Sequence, residues 1–369
     1  MKVSVTKEEI QQKLSNIQNI VEKRNTMPIL SHFLLDAGRE GALITATDLQ
    51  IAIKGPLIAQ TEGEGKLSIP ARKLYEIVRE ADGDVVIESE DEQWIRVTFG
   101  KSRFRLACLS SEEFPAWPGI EGEDRIVFDT AILSEMIEKT LYAAGETDTR
   151  YTLNGLLFHI NPTDRSITVV GTDGHRLAIM KKSLETGFGK MEGEKKVILP
   201  RKAATELKRF IGGTPQVTAV FGRNHILFTI GDFYFLARLI EGEYPNYEKV
   251  IPLTSEKVIR IGRENFLRTI RRVSIMSREK SKAIRLDITD GVLSVSSSDP
   301  DLGEARDEVE VEYSGEAIAL GFNARYLIDC LSVMTSDNVN FALQEPSSPT
   351  LLKEEGNEEY RCVLMPIRL

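Results

Sequence analysis

Apolar residues recur at three- and four-residue steps in three places: Ile10, Leu14, Ile17 and Val21; Leu133, Ile137 and Leu141; and Phe266, Ile270 and Val273. Such spacing lays each set along one stripe of an amphipathic helix. After each stripe come short apolar runs of strand character, among them Ala42-Leu43-Ile44, Ile167-Thr168-Val169-Val170 and Val292-Leu293-Ser294-Val295. A second helix is predicted to start at Ile69-Pro70-Ala71-Arg72-Lys73-Leu74, at Leu199-Pro200-Arg201-Lys202 and at Phe322-Asn323-Ala324-Arg325. Pro and Asn are helix-starting residues there. Turn residues such as Ala81-Asp82-Gly83-Asp84 and Gly231-Asp232 separate the later strands.

The same order therefore occurs three times, and the register is tight. Leu106, Ala107, Leu109, Glu113, Phe114 and Pro115 return as Leu236, Ala237, Leu239, Glu243, Tyr244 and Pro245, each displaced by 130 positions. Thr47-Asp48, Thr172-Asp173 and Ser298-Asp299 succeed one another at separations of 125 and 126. Val363, Leu364, Met365 and Pro366 hold the equivalent place in the third copy. Self-similarity at a fixed period marks a tandem array of one domain. The predicted fold class is α+β, three tandem copies with two helices on an antiparallel sheet each, at 1–118, 126–247 and 255–369. The connecting stretches Ala116-Trp117-Pro118-Gly119 and Pro245 to Pro252 are short, which implies domains packed side by side.

Composition narrows the class. In 369 residues, 41% hydrophobic content suffices for two or three compact cores. No apolar run is long enough to cross a bilayer, and Met1-Lys2-Val3-Ser4 leads straight into a charged helix, so a soluble cytoplasmic protein is expected. Cys108, Cys330 and Cys362 form no CxxC or Cys/His cluster, which points to buried, reduced thiols and no metal. The net charge of −9 opposes phosphate binding as a sum, but its distribution is uneven. Arg72, Lys73 and Arg79, Arg201, Lys202, Lys208 and Arg209, and Arg263, Arg268, Arg271 and Arg272 fall on predicted helices. Acidic residues gather in strands and loops, as at Glu88-Ser89-Glu90-Asp91-Glu92 and Glu308-Val309-Glu310-Val311-Glu312. Such a division would give a basic helix face on an acidic molecule, although charge alone favours ordinary solvated helices.

Catalytic signatures are sparse. His32, His159, His175 and His225 have no metal-site spacing, and Gly63-Glu64-Gly65-Lys66 lacks the flanking residues of a phosphate loop. In Gly171-Thr172-Asp173-Gly174-His175-Arg176-Leu177 a carboxylate and an imidazole stand two apart, but Asp-Gly between strands reads first as a tight turn. The turn recurs in each copy, whereas the residues after it differ, with Leu49 in the first copy and Pro300-Asp301 in the third. His175 and Arg176 are thus tied to a site of the second copy, or else form a surface pair with a nearby carboxylate.

Thr-Asp-Gly-His-Arg-Leu-Ala at 172–178, Glu-Gly-Glu-Tyr-Pro-Asn-Tyr at 241–247, Arg-Asn-Thr-Met-Pro-Ile-Leu at 24–30 and Met-Pro-Ile-Arg-Leu at 365–369 closely resemble the bacterial DNA polymerase III beta subunits, the sliding clamps. The resemblance covers the whole chain. It implies a non-catalytic DNA sliding clamp, a head-to-tail homodimeric ring of pseudo-sixfold symmetry around double-stranded DNA, with helices lining the hole and no cofactor. It implies tethering of the DNA polymerase III alpha subunit, the clamp loader, and other polymerases and repair proteins through a short peptide. The matching peptide-site positions are Leu153, Thr172, Gly174, His175, Arg176, Leu177, Pro245 and Val250 in the second copy. In the third they are Asn323, Tyr326, Ser347, Pro349, Val363, Leu364, Met365, Pro366 and Ile367. DNA contacts are implied for Arg24, Tyr151, Arg201 and Lys202, with Arg72 and Lys73 beside them. Ring closure is implied between Phe104 and Leu106 of one subunit and Ile275 and Met276 of the other. Ser281 and Thr152 stand where the family often has an aromatic residue and a second Tyr. A sequence-specific DNA-binding protein, or an enzyme using Asp173 and His175, would be the other classes, and no recognition-helix motif favours the former.

Overall fold

The three repeats fold into the same succession of strands and helices in the computed structural model, which describes residues 1–21, 27–120, 122, 124–184, 186–191, 193–252, 257–278, 281–345 and 347–368. The first contains β1 (Lys2–Val5), α1 (Lys7–Ile17), β2 (His32–Gly38), β3 (Gly41–Thr47), β4 (Ile51–Leu57), β5 (Gln60–Glu62), β6 (Gly65–Pro70), α2 (Ala71–Arg79), β7 (Val85–Ser89), β8 (Trp94–Phe99) and β9 (Ser102–Ala107). The second contains β10 (Arg125–Asp129), α3 (Thr130–Leu141), β11 (Gly155–Asn161), β12 (Ser166–Thr172), β13 (Arg176–Ser183), β14 (Lys195–Pro200), α4 (Arg201–Phe210), β15 (Gln216–Phe221), β16 (His225–Ile230) and β17 (Phe233–Arg238). The third contains β18 (Lys257–Gly262), α5 (Arg263–Ser274), β19 (Ala283–Thr289), β20 (Val292–Asp299), β21 (Gly303–Glu312), β22 (Ile318–Asn323), α6 (Ala324–Ser332), β23 (Asn338–Leu343), β24 (Thr350–Glu354) and β25 (Tyr360–Leu364). Among the described residues only the short β5 lacks a counterpart.

Local chemistry explains the helix starts. Thr6 caps α1 by accepting the Glu9 N–H at 3.4 Å, with Glu8 and Glu9 at the positive end of the helix dipole. Pro70 stands at the N-cap position of α2 with no side-chain hydrogen bond, and the Asn323 side chain caps α6 by accepting the Arg325 N–H at 2.9 Å. α1 stops at Ile17, four residues short of Val21, yet Ile20 and Val21 are buried in the adjoining turn.

The three turns share one hydrogen-bond plan. Asp48 Oδ1 accepts the N–H groups of Gln50 and Ile51, Asp173 Oδ1 those of His175 and Arg176, and Asp299 Oδ1 those of Asp301 and Leu302. The preceding Thr47 and Thr172 hydroxyls donate to the carbonyls of Ile51 and Arg176. Asp173 is thus a turn residue, in keeping with its sequence pattern.

Each repeat builds two four-stranded ladders, β1·β7·β8·β9 and β6·β2·β3·β4 in the first, and their counterparts in the others. The ladders join in a regular way. β17 of the second repeat pairs with β4 of the first, Ala237 opposite Ile51; β25 of the third pairs with β13 of the second, Leu364 opposite Arg176. Ser68 with Leu109, Ile198 with Ile240 and Gly321 with Ile367 form equivalent bridges after the last strand of each repeat.

The chain divides into two compact units, and the second repeat contributes to both: unit one is Met1–Ala131, Thr186–Glu192 and Thr205–Leu239, unit two Ile132–Glu185, Gly193–Ala204 and Ile240–Leu369. Unit one holds two sheets, β5-β1-β7-β8-β9 and β10-β15-β16-β17-β4-β3-β2-β6. Unit two holds one, ordered β14-β11-β12-β13-β25-β24-β23-β18-β21-β20-β19-β22. Strands such as β2 alternate between buried and half-buried positions, while every residue of β12 is buried. Cys108, Cys330 and Cys362 are buried free thiols, and burial pushes Cys108 up to about 12. Among the described residues no helix is long and apolar enough to cross a membrane.

Candidate functional site

Where β25 pairs with β13, the turn at 172–176 and the segment after β25 border an apolar pocket in unit two, of about 140 Å³. It is lined by Arg150, Leu153, Thr172, Gly174, His175, Arg176, Leu177, Pro245, Asn246, Tyr247, Val250, Val363 and Met365. Strand alternation selects them: Val363 and Met365 reach the pocket, while Leu364 between them points into the core. The floor is a buried cluster of Leu157, Val170, Leu177, Ile179, Ile198, Ala342, Leu351 and Val363. Val250 and Met365 remain exposed, so the mouth is open to an apolar ligand.

Arg176 is a strut. Only 9% exposed, it donates to Asp173 Oδ2 at 3.0 Å, Asp329 Oδ2 at 2.7 Å and the Tyr142 carbonyl at 2.7 Å, and its guanidinium lies 4.5 Å from the Tyr326 ring centre. Both charges on its carboxylate partners are thereby answered, and the turn is locked to α6. His175 stacks on Tyr326 with ring centres 6.4 Å apart and accepts the Met365 N–H on its carbonyl at 2.9 Å. Gly174 sits at φ 85 with the Arg150 guanidinium against it, so a side chain there would be both strained and obstructed. Asp173 and His175 do not form an acid/base pair, because the Asp173 carboxylate is engaged by the turn N–H groups and by Arg176.

The other wall is tied down from outside. Tyr247 OH is 3.0 Å from His159 Nδ1, and the opposite ring nitrogen of His159 meets Glu194. The His159 hydrogen bond holds the Glu194 carboxyl below its ordinary value, and burial pushes the Tyr247 phenol up to about 12. Tyr244 OH donates to the Val170 carbonyl at 3.3 Å.

The peptide-site positions read from the sequence fall into two groups. Leu153, Thr172, Gly174, His175, Arg176, Leu177, Pro245, Val250, Val363 and Met365 line the pocket. Tyr326 adjoins it through His175, Asn323 caps α6, and Pro366 and Ile367 continue past it, whereas Ser347 and Pro349, which precede β24, and Leu364, which is buried in the core, fall outside its lining. Arg150, Asn246 and Tyr247 carried no signal as site residues in the sequence, although Asn246 and Tyr247 end the Glu-Gly-Glu-Tyr-Pro-Asn-Tyr motif.

Of the DNA positions, Tyr151 is 61% exposed on a short 3-10 turn and Lys202 is half-buried on α4. Arg201 donates to the Leu141 and Ala144 carbonyls at 2.8 and 2.6 Å, satisfying the end of α3, and pairs with Glu146. Arg72 reaches the Gln18 carbonyl at 3.4 Å, and Lys73 pairs with Glu76 at 2.5 Å. Arg24 lies outside the described residues. Phe104 and Ile275 are exposed apolar side chains at 38% and 75%, each beside a half-buried neighbour on the motif, Leu106 and Met276.

Comparison with known proteins agrees along the whole chain. Residues 1–118 match the DNA polymerase III beta subunit N-terminal domain, 128–246 its central domain and 248–368 its C-terminal domain. A beta sliding clamp of Pseudomonas putida is 34% identical over 372 residues, and that of Escherichia coli (strain K12) 30% over 373, with 100% of each chain covered. The crystal structure of the DNA polymerase III subunit beta from Pseudomonas aeruginosa has a TM-score of 0.93 at 33% identity, covering 100% of both chains. With three consecutive domain matches and relatives that align over their full length, the chain belongs to the DNA polymerase III beta subunit family, the non-catalytic DNA sliding clamps of bacterial replication.

Proposed function

We propose that this clamp works as a cytoplasmic head-to-tail homodimer, a ring of six clamp domains with limits at 1–118, 126–247 and 255–369 in each chain, closed around duplex DNA. The observation that carries the reading is the unmatched strand edges. β17 pairs with β4, and β25 with β13, so the last strand of one repeat joins the fourth ladder strand of the repeat before it. The same rule leaves β9, the last strand of the first repeat, and β21 of the third. Among the described residues, β9 pairs only with β8, and the second edge of β21 is engaged only at Val311 and Glu312. A second copy supplies both missing partners, and a two-fold repetition of that joint closes the ring.

Arg72 and Lys73 of α2 and Arg201 and Lys202 of α4, together with Arg24 and the phenol of Tyr151, contact the phosphates without reading bases, which permits sliding. The apolar pocket receives a short segment of the polymerase alpha subunit, the clamp loader and repair proteins. A polymerase so tethered is held near its primer end at high effective concentration.

The test is topological. Loaded on a nicked circular plasmid, the clamp is expected to co-elute with DNA in gel filtration and to be released once the circle is cut. Equal retention on circular and linear DNA would overturn ring closure as the basis of grip.

A further inference from the structure

A second cleft in unit two, of about 720 Å³, differs from the apolar pocket in chemistry. Strand register sets Arg285 beside Ser296, Ser296 beside Arg306, and Ser298 beside Glu304 along one sheet face. Arg278, just after α5, and Arg368 complete a lining of four guanidinium groups against the single carboxylate of Glu304. Asp287 at 2.8 Å and Glu308 at 3.1 Å partly neutralise Arg285 and Arg306 from outside the lining; no ion pair engages Arg278 or Arg368 among the described residues. In a chain of net charge −9, such a cleft is set up for an anionic ligand.

Its position narrows the ligand. Asp307 turns toward α5, where it pairs with Arg272 at 2.5 Å, so Glu304 and Arg306 project from the opposite face of β21. The cleft therefore opens away from α5, whereas Arg72, Lys73, Arg201 and Lys202, assigned to duplex DNA, are carried on α2 and α4. It is also joined to the apolar pocket by the same run of chain. Met365 lines the pocket and Arg368 lines the cleft, with the Ile367 N–H fixed to the Gly321 carbonyl at 2.8 Å between them. Ala283 in the cleft pairs across the ladder with Asn323, which caps the helix bearing Tyr326. Three residues of extended chain span about 10 Å, so one short segment can occupy both.

We propose that the arginine cleft receives the acidic flank of the same partner segment whose apolar side chain fills the pocket. The recognised element is then an apolar anchor with neighbouring Asp or Glu residues, a refinement that rests on the tethering role of the pocket.

The full chain would be titrated by calorimetry with three synthetic peptides sharing a Leu-Phe anchor: one with an Asp-Glu-Asp triplet before it, one with the triplet after it, and one with Ser-Gln-Ser in its place. One acidic peptide is expected to bind about tenfold more tightly than the neutral one, the sum of two or three exposed ion pairs. That gain should vanish in Arg278→Ser/Arg306→Ser and in about 0.5 M NaCl, where charges are screened over a few ångströms, with neutral-peptide affinity unchanged. Ser281→Arg, which adds a cation at the rim, should enlarge the gain. Equal affinities for all three peptides, or a gain that survives the double substitution, would overturn the proposal. So would an oligothymidylate that binds through the same arginines and is not displaced by the acidic peptides. Failure of even the neutral peptide to bind would instead refute the tethering role of the pocket, and this proposal with it.

Discussion

At the scale of single residues, the pocket depends on side chains outside its lining as well as on those within it. Tyr247 presents a ring to the pocket and its hydroxyl to His159, whose other nitrogen is engaged by Glu194. The wall is therefore positioned by a hydrogen bond on its far side. His159→Ala is expected to weaken binding of an apolar-anchored peptide about fivefold, equivalent to one neutral hydrogen bond of ~1 kcal/mol. Tyr247→Phe should cost the same, and the double variant no more than either, because both delete one interaction. Additive losses in a titration of the three variants would show that His159 acts on the pocket by another route. Arg176 illustrates the complementary case: its place in the sequence marked it for the site, and it lines the pocket, but its donors are committed to Asp173, Asp329 and Tyr142. A sequence motif reveals that such a residue matters without revealing that its work is structural. Tyr247, by contrast, ends a motif without any mark of its role, since nothing in sequence places His159 beside it.

Elements are secured by buried charge as much as by apolar packing. Lys139 of α3 meets Glu354 of β24 at 2.6 Å, with side chains only 5% and 2% exposed. Burial works against the charge on Glu354, but the Lys139 ammonium, the Thr335 N–H and the Asn357 amide hold its carboxyl below the ordinary value. Because that value is depressed on folding, the stabilisation is complete above the ordinary carboxylate range and is lost as pH falls through the folded value. Glu354→Leu leaves the buried lysine with only the longer contact to the half-exposed Glu135 carboxylate at 3.7 Å and is expected to cost about 3 kcal/mol, whereas Lys139→Met/Glu354→Leu should recover most of it. Urea denaturation at neutral pH measures both; a double variant as unstable as the single one would contradict the stranded-charge argument. At this scale the sequence was largely legible, since the Pro70, Pro200 and Asn323 signals each precede a helix in the structure. Illegible were the joints: nothing local in Ile51 or Ala237 announces that they will face one another across a ladder from distant parts of the chain. The apolar stripe also ran past the end of α1, because Val21 is buried from a turn, and burial rather than helicity sets the pattern.

For the whole molecule, the internal joints predict the intermolecular one residue by residue. Ala237 faces Ile51 and Leu364 faces Arg176. Moving back 130 positions on the last strand leads from Ala237 to Ala107, and moving on 126 positions from Arg176 leads to Leu302. Ala107 then pairs with Leu302 of a second copy, and the antiparallel ladder sets Leu106 opposite Gly303, Arg105 opposite Glu304 and Phe104 opposite Ala305. The alternation fits on both faces. Met276 Cε lies 3.4 Å from where a Cβ on Gly303 would stand, so Leu106 arrives against Met276 and its exposed neighbour Ile275, beside Phe104. On the other face Arg105, stacked on Trp94 at 4.0 Å and paired with Glu90, meets the carboxylate of Glu304. Arg105→Glu should thus set two carboxylates opposite each other at each of two equivalent joints and shift the dimer toward monomer, with the dissociation constant rising on the order of a hundredfold at low salt. Glu304→Arg alone should do the same by opposing two guanidinium groups. The combined variant restores the pair in reverse and should re-form the dimer, which sedimentation equilibrium can follow for all three. A double variant that stays monomeric while each single one stays folded would show that the register at this joint differs from the two within the chain.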